Sequence, residues 1–268
     1  MSTCDPLAPA GPWIVGRYAV GRPRLRLFCL PPAGGSAASF NVWRPCLPQG
    51  VELAPVELPG RGSRLDEPVP YALEPLADAL LDVVRGEPDL PYVLFGHSFG
   101  AVLAYELTRR IERRQHLRAP AALVVSAHRA PHVPLARERL TGGSDRSLTA
   151  WLHRHGGLPG ELLEHPEFLS DLLCAVRADL EIAERYLLPG PAPVRTPLVV
   201  LAGAEDEVAA PAVVEPWDAY HEASPRVRLV PGGHSYPRTH PEATLTAVTG
   251  ALRGLGLQGL GVEGDRQG

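Results

Sequence analysis

Gly96-His97-Ser98-Phe99-Gly100 sets one hydroxyl between two glycines in a G-x-S-x-G pattern. The apolar run Tyr92–Phe95 precedes it, and Ala101, Val102, Ala104 and Leu107 follow at helical spacing. A strand, a sharp turn and a helix are the context of a nucleophile elbow. Such a turn forces strained backbone angles on Ser98. A side chain at position 96 or 100 would collide with neighbouring backbone, hence the two glycines. The geometry lifts the hydroxyl to a helix N-terminus, where unpaired N–H groups favour developing negative charge.

A serine hydroxyl is a poor nucleophile without a base, and the base needs a third group to orient it. Elbow enzymes supply these in the order serine, acid, histidine. The strand Pro197–Ala202 is followed by Glu205, Asp206 and Glu207, three carboxylates that compete for the acid's place. Beyond them the histidines are His221, His234 and His240. His234 follows the strand Val227–Val230 and two glycines that can fold the loop back over the sheet, so it is the expected base. His240 reads as the approach to the last helix, and His97 as a packing residue beside the sheet. An oxyanion hole needs two N–H donors, one from the residue after the nucleophile, Phe99, the other from a loop after an early strand. Pro31-Pro32-Ala33-Gly34-Gly35 fits, and Ala33 is its first residue with an N–H to give.

These groups need a frame. Arg24–Leu30, Val51–Leu58, Tyr92–Phe95, Ala121–Ser126, Pro197–Ala202 and Val227–Val230 read as strands. Leu73–Val84, Phe99 to about Arg114, and Glu242–Leu252 read as helices between or after them. Alternation of this kind predicts an α/β fold: a mostly parallel central sheet with helices on both faces. Residues 136–188 break the alternation with helices only, and read as a helical lid insertion. Residues 1–23 read as a flexible leader, 24–253 as one domain and 254–268 as a Gly-rich tail.

Composition narrows the function. Among 268 residues, 27 glycines and 30 prolines make about a fifth of the chain, below the roughly 25–30% of low-complexity sequences. The net charge of −4 argues against nucleic-acid binding, which needs a basic surface. All the basic residues are arginine, which removes any lysine nucleophile, Schiff base or P-loop. Cys4, Cys29, Cys46 and Cys174 form no CxxC pair, pointing to a reducing cytoplasm. No apolar run approaches the roughly 20 residues of a membrane span, and no signal peptide is legible at the N-terminus. His153, His155 and His165 lack a further ligand at metal-binding spacing, so neither metal nor cofactor is expected. Arg61 and Arg64 could meet a phosphate or serve a structural loop.

Together, Leu30–Phe40 (LPPAGGSAASF), Leu58–Arg64 (LPGRGSR), Gly96–Gly100 (GHSFG), Arg177–Asp179 (RAD), Gly203–Asp206 (GAED) and Gly232–His234 (GGH) resemble the type II thioesterases, free-standing partners of polyketide synthases and nonribosomal peptide synthetases. The resemblance covers roughly residues 24–252. It implies an α/β-hydrolase fold with a helical lid. It also implies hydrolysis of acyl groups from the phosphopantetheine arm of acyl or peptidyl carrier proteins, editing stalled or misprimed modules. By position it makes Ser98 the nucleophile, Asp206 the acid and His234 the base, with Ala33 and Phe99 at the oxyanion positions. Two residues depart from the family's usual pattern, Pro32 where histidine is common and Ser235 where phenylalanine is common. The start at Met1 favours a discrete protein. Two alternatives share the same residues: an acyltransferase or cyclase, and a non-catalytic binding protein on a hydrolase scaffold. An acidic carrier would need a local arginine patch, for which Arg61, Arg64 and Arg177 are the candidates.

Overall fold

The computed structural model describes residues 12–87, 90–158 and 166–257. Seven strands form one sheet: β1 (Tyr18–Ala19), β2 (Leu25–Leu30), β3 (Val51–Pro55), β4 (Tyr92–His97), β5 (Ala122–Ser126), β6 (Leu198–Gly203) and β7 (Val227–Val230). Their order is β1-β3-β2-β4-β5-β6-β7, parallel throughout except for the antiparallel pair β1–β3. Every residue of β2, β4, β5 and β6 is buried, as continuous apolar runs in a doubly covered parallel sheet should be. The chain steps outward from β2 to β3 and then crosses back to β4. The crevice beyond the C-terminal ends of β2 and β4 is thus a topological switch point, where open α/β sheets bind ligands.

The helices are α1 (Leu73–Arg85), α2 (Phe99–Glu112), α3 (Asp145–Arg154), α4 (Pro166–Arg185), α5 (Pro211–Val214), α6 (Tyr236–Thr239) and α7 (Pro241–Gly254). Helix α2 is the most buried, with Ala101, Val102, Ala104 and Leu107 all inward. The only regular elements described between β5 and β6 are a 3-10 turn at Leu140–Gly142, α3 and α4, so the expected helical insertion is present.

The leader expectation needs correction. Residues 1–11 lie outside the described residues, but 12–23 are not detached. Trp13 is buried, Ile14 bridges Val56, and the Glu57 N–H donates to Trp13 O at 2.8 Å. The Arg64 guanidinium lies 4.0 Å from the Trp13 ring centroid, a cation–π contact. The segment adds an edge to the sheet through backbone bonds, which its proline- and glycine-rich sequence did not advertise. The tail beyond Leu257 also lies outside the described residues.

Candidate active site

Ser98 joins β4 to α2 at φ 54°, ψ −117°, a conformation a non-glycine residue adopts only when its surroundings compel it. Its neighbours explain how. A Cβ at Gly96 would lie 2.0 Å from Gly100 O, and one at Gly100 would lie 2.2 Å from Leu30 O. The second glycine therefore does more than tighten the turn: it lets α2 abut the end of β2, bringing the Pro31–Gly35 loop alongside Phe99. Around that point several N–H groups are already engaged. Ser98 donates to Ser126 O (2.8 Å), Gly35 to Pro32 O (2.9 Å), and Gly34 to Asp179 Oδ2 (2.8 Å). The N–H groups of Ala33 and Phe99 have no acceptor among the described residues.

Asp206, His234 and Ser98 come together in one line. His234 Nε2 lies 3.0 Å from Ser98 Oγ, and His234 Nδ1 lies 2.9 Å from Asp206 Oδ2. The arrangement assigns the tautomer with Nδ1–H donating to the carboxylate and Nε2 accepting from the serine hydroxyl. Of the three candidate acids, Asp206 alone is buried, while Glu205 and Glu207 face solvent. Burial pushes the Asp206 carboxyl up, but the His234 contact and the N–H groups of Ala209 and Val208 outweigh it, leaving its pKa below the usual value. Gly203 allows the two loops to meet, since a Cβ there would lie 2.6 Å from Gly232 O. The Glu205 N–H donates to that same carbonyl at 3.1 Å.

His97 stands behind this line. It is buried, its ring centroid is 5.3 Å from that of His234, and its Nδ1 is 2.9 Å from Ser126 Oγ. Ser126 in turn bonds the Tyr236 hydroxyl. Burial first, then the neighbouring His234, lowers the His97 pKa to about 3. His97 thus stays neutral and does not compete with His234 for a proton. This backing had no signal in the sequence beyond the buried position of His97.

Two cavities of about 340 and 230 Å³ meet at Ser98, His234, Trp151 and Leu180. The larger runs past Ala33, Phe40, Leu152 and Leu172. The smaller runs past Ala127, His128 and Val213. Trp151 and Leu180 come from α3 and α4, so the insertion walls both. His155 also lines the larger cavity. His153 lies 3.4 Å from Leu158 O, and His165 falls outside the described residues. Among the described residues no cluster of ligating side chains could hold a metal, and no helix is long and apolar enough to cross a membrane.

Two of the arginines expected at a docking patch are elsewhere. Arg61 is buried against Asp179, and Arg64 is buried between Glu57 O and Glu67. Guanidinium groups taken out of water need such partners, so neither is free to meet another protein. Arg177 remains near the surface, bound to Asp145 and to the carbonyls of Thr141 and Gly143.

Residues 25–252 match the family model of the thioesterase domain. The chain is 36% identical to thioesterase PikA5 of Streptomyces venezuelae, over 85% of this chain and 80% of PikA5. It is 35% identical to the AMB antimetabolite synthetase AmbE of Pseudomonas aeruginosa over 84% of this chain, which spans only 10% of AmbE. Among solved structures, YbtT, a type II thioesterase from the yersiniabactin NRPS/PKS biosynthetic pathway, superposes with a TM-score of 0.79 at 30% identity, covering 87% of this chain and 94% of YbtT.

Proposed function

Because this chain belongs to the thioesterase domain family, as a type II thioesterase of the α/β-hydrolase kind, we propose that it hydrolyses acyl groups from the phosphopantetheine arm of acyl or peptidyl carrier proteins. In this reading it edits stalled or misprimed polyketide and nonribosomal peptide assembly in the cytoplasm. The observation that carries the mechanism is the unbroken Ser98–His234–Asp206 line.

His234 Nε2 takes the Ser98 proton as Oγ attacks the thioester carbonyl. The carbonyl oxygen becomes an oxyanion received by the N–H groups of Ala33 and Phe99, each such donor being worth about 10²–10³ in rate. The tetrahedral intermediate collapses, the C–S bond breaks, and the imidazolium returns its proton to the departing thiolate. Water, deprotonated by the same histidine, then attacks the acyl-enzyme; the ester C–O bond breaks as the imidazolium returns its proton to Ser98 Oγ, releasing the carboxylic acid and the free Ser98 hydroxyl. Asp206 holds the tautomer throughout and stabilises the imidazolium. The apolar stretch of the larger cavity, Phe40, Trp151, Leu152 and Leu172, suits a hydrocarbon acyl chain. Arg238, exposed on the rim of that cavity, takes the place of Arg61 and Arg64 as a basic group for an acidic carrier.

The test compares one acyl group on a carrier protein and on N-acetylcysteamine, with wild type and Ser98→Ala. Wild type should hydrolyse both, with the higher kcat/KM on the carrier and an advantage that added salt erodes. Ser98→Ala should form no acyl-enzyme. Equal, salt-insensitive kcat/KM would remove the carrier from the proposal. A product joined to an added alcohol or amine in place of free acid would mark acyl transfer.

A further inference from the structure

We propose that Asp179, on insertion helix α4, is a positioning residue for the oxyanion loop: paired with Arg61, it fixes the turn that presents the Ala33 N–H to the reacting carbonyl. The proposal rests on the reading of Ser98 as nucleophile and Ala33 as oxyanion donor.

Asp179 is only 1% exposed, and a carboxylate so placed is tolerated only with its charge and lone pairs satisfied. Burial pushes its pKa up while Arg61 and the Gly34 N–H pull against that shift. Both oxygens are used. Oδ2 accepts the Gly34 N–H at 2.8 Å and a bond from Arg61 Nη1, and Oδ1 accepts Arg61 Nη2 at 3.1 Å. A bidentate fork of this kind fixes orientation as well as distance.

What the carboxylate grips is a turn. The Gly35 N–H donates to Pro32 O, and Gly34 sits at φ +69°. A left-handed third residue is the mark of a type II turn, in which the orientation of the central peptide separates it from type I. That central peptide joins Ala33 to Gly34, and its N–H is the one Asp179 binds. The bond therefore holds the peptide next to Ala33 in one of its two orientations. Helix α4 also presses on the turn directly, since a Cβ at Gly34 would lie 2.2 Å from Val176 Cγ2.

Arg61 has a second task. A bare carboxylate bonded one residue from the oxyanion donor would repel the charge that develops during reaction, weakly screened in a closed site. The guanidinium neutralises it, and Arg61 Nε is itself tied to Pro59 O at 3.4 Å. The loop after β3, the helical insertion and the oxyanion loop are thereby joined in one buried contact. Leu58–Arg64 and Arg177–Asp179, two segments the triad leaves without a task, gain one here.

The experiment measures the second-order rate of Ser98 labelling by a fluorophosphonate, whose phosphoryl oxygen occupies the oxyanion site, together with kcat and KM on an acyl-N-acetylcysteamine. Asp179→Ala should slow labelling and lower kcat about 100-fold, the lower end of the loss for a missing oxyanion donor, with KM within about threefold of wild type. Asp179→Asn keeps the volume and one acceptor for the Gly34 N–H, and should lose about tenfold, a partial rescue that a purely structural role would not produce. Far-UV CD at the assay temperature checks folding, and if the alanine variant does not fold, the asparagine variant decides. A folded variant that labels and turns over within twofold of wild type overturns the proposal, as does a loss confined to KM. Wild type that labels but hydrolyses no acyl-carrier protein would end the carrier reading while the labelling comparison still decides the role of Asp179. Wild type that does not label would overturn both.

Discussion

Helices α3 and α4 follow one another in the insertion and both bury leucines at helical spacing, but they are held by different forces. Ala175, Ala178, Ile182 and Ala183 of α4 are buried, and charged groups tie the helix down. Asp179 is paired with Arg61. Glu184 accepts from Arg137 Nη1 and the Leu140 N–H. Arg129, itself buried, donates to the carbonyls of Ala183, Glu184 and Tyr186 at the end of the helix and to Val133 O. Helix α3 buries Leu148 and Leu152 in a small separate cluster with Leu158, Leu173, Val176 and Leu180. Its polar ties are nearer the surface: Ser235 Oγ to His155 O, Arg238 to Gly156 O, and Arg177 to Asp145. Lifting α4 would strand buried charges, whereas lifting α3 would strand none. The same hydrophobic pattern thus yields a fixed wall in one helix and a removable cover in the other, and lid movement is expected in α3.

The largest test of that contrast is Arg129→Met. Four carbonyls lose a charged donor, and bonds to charged groups contribute about 1.5–3 kcal/mol each when counted singly. Shared by one side chain, they should sum to a loss of about 3 kcal/mol, lowering Tm by roughly 6–12 °C for a chain of this size. Arg238→Met, on the α3 side, should lose less than about 0.5 kcal/mol, as exposed contacts do. Calorimetric or urea unfolding of both variants reads the difference, and equal losses would erase the distinction between the helices.

Stability should also depend on pH through groups beside the fixed wall. His128 lies next to Arg129, and burial, then the Arg129 charge, lowers its pKa to about 3; His97 is lowered to about 3 as well. The unfolded chain takes up these protons near pH 6.5 and the folded chain does not. Stability is therefore full above pH 6.5 and falls as pH drops below it, as each buried neutral histidine must be protonated only in the unfolded chain. His155 at the end of α3 shifts the same way, through burial and then the His234 charge, but it is only half-buried. His128→Gln should reduce the pH dependence of unfolding between pH 4 and 6.5, leaving the part owed to His97, and His155→Gln should reduce it by less. The reverse result would place the more strongly shifted histidine beside α3 and not beside Arg129.

The sequence made the frame legible because its signals were local. A G-x-S-x-G between strand and helix, and apolar runs long enough for a buried sheet, need no tertiary information. The order serine, acid, histidine is equally visible, and so are Asp206 and His234 once GAED and GGH are read together. The ties that separate α3 from α4 are not local. Asp179 meets Gly34 across 145 residues, and Arg61 resembles any surface arginine until the fold buries it. The edge β1 has two residues and no periodicity to show. Arg61 and Arg64 drop out as docking candidates for this reason: charge is visible in sequence, but desolvation is not.

Trp151 and Leu180 give the contrast a functional reading, since one from each helix walls the space around Ser98. Trp151→Ala should join the two cavities, leave Tm within a few degrees and shift kcat/KM toward bulkier acyl groups by about tenfold relative to short ones. Leu180→Ala, in the helix tied to the core, should cost about 2–3 kcal/mol of stability as a buried truncation. Competition between acyl-N-acetylcysteamines of different length, with thermal melts of each variant, measures both. If Trp151→Ala destabilises as much as Leu180→Ala, α3 belongs to the fixed wall.

The smallest effect is the sharpest locally. Asp145 opens α3 behind Ser144, whose Oγ accepts the Ser147 N–H at 3.2 Å. Its carboxylate meets Arg177 of α4 at 2.7 Å, with 73% of the Asp145 side chain exposed. Asp145→Asn keeps an acceptor for the guanidinium, and Arg177 keeps its bonds to Thr141 O and Gly143 O. Only the charge is lost, both from the pair and from the positive end of the helix. An exposed pair contributes about 0.2–1 kcal/mol and an acidic first turn about 0.3–1 kcal/mol, both screened by salt. Global unfolding should therefore shift by less than about 1 kcal/mol, and high salt should remove the shift. Hydrogen exchange resolves what the melt cannot. If α3 opens by itself, its amides should exchange roughly twofold to fivefold faster in Asp145→Asn, as a few tenths of a kcal/mol to about 1 kcal/mol requires. The amides of α4, held by Arg129 and Asp179, should not change. Equal acceleration in both helices would mean that they open as one unit, and the division of the insertion into wall and cover would fall.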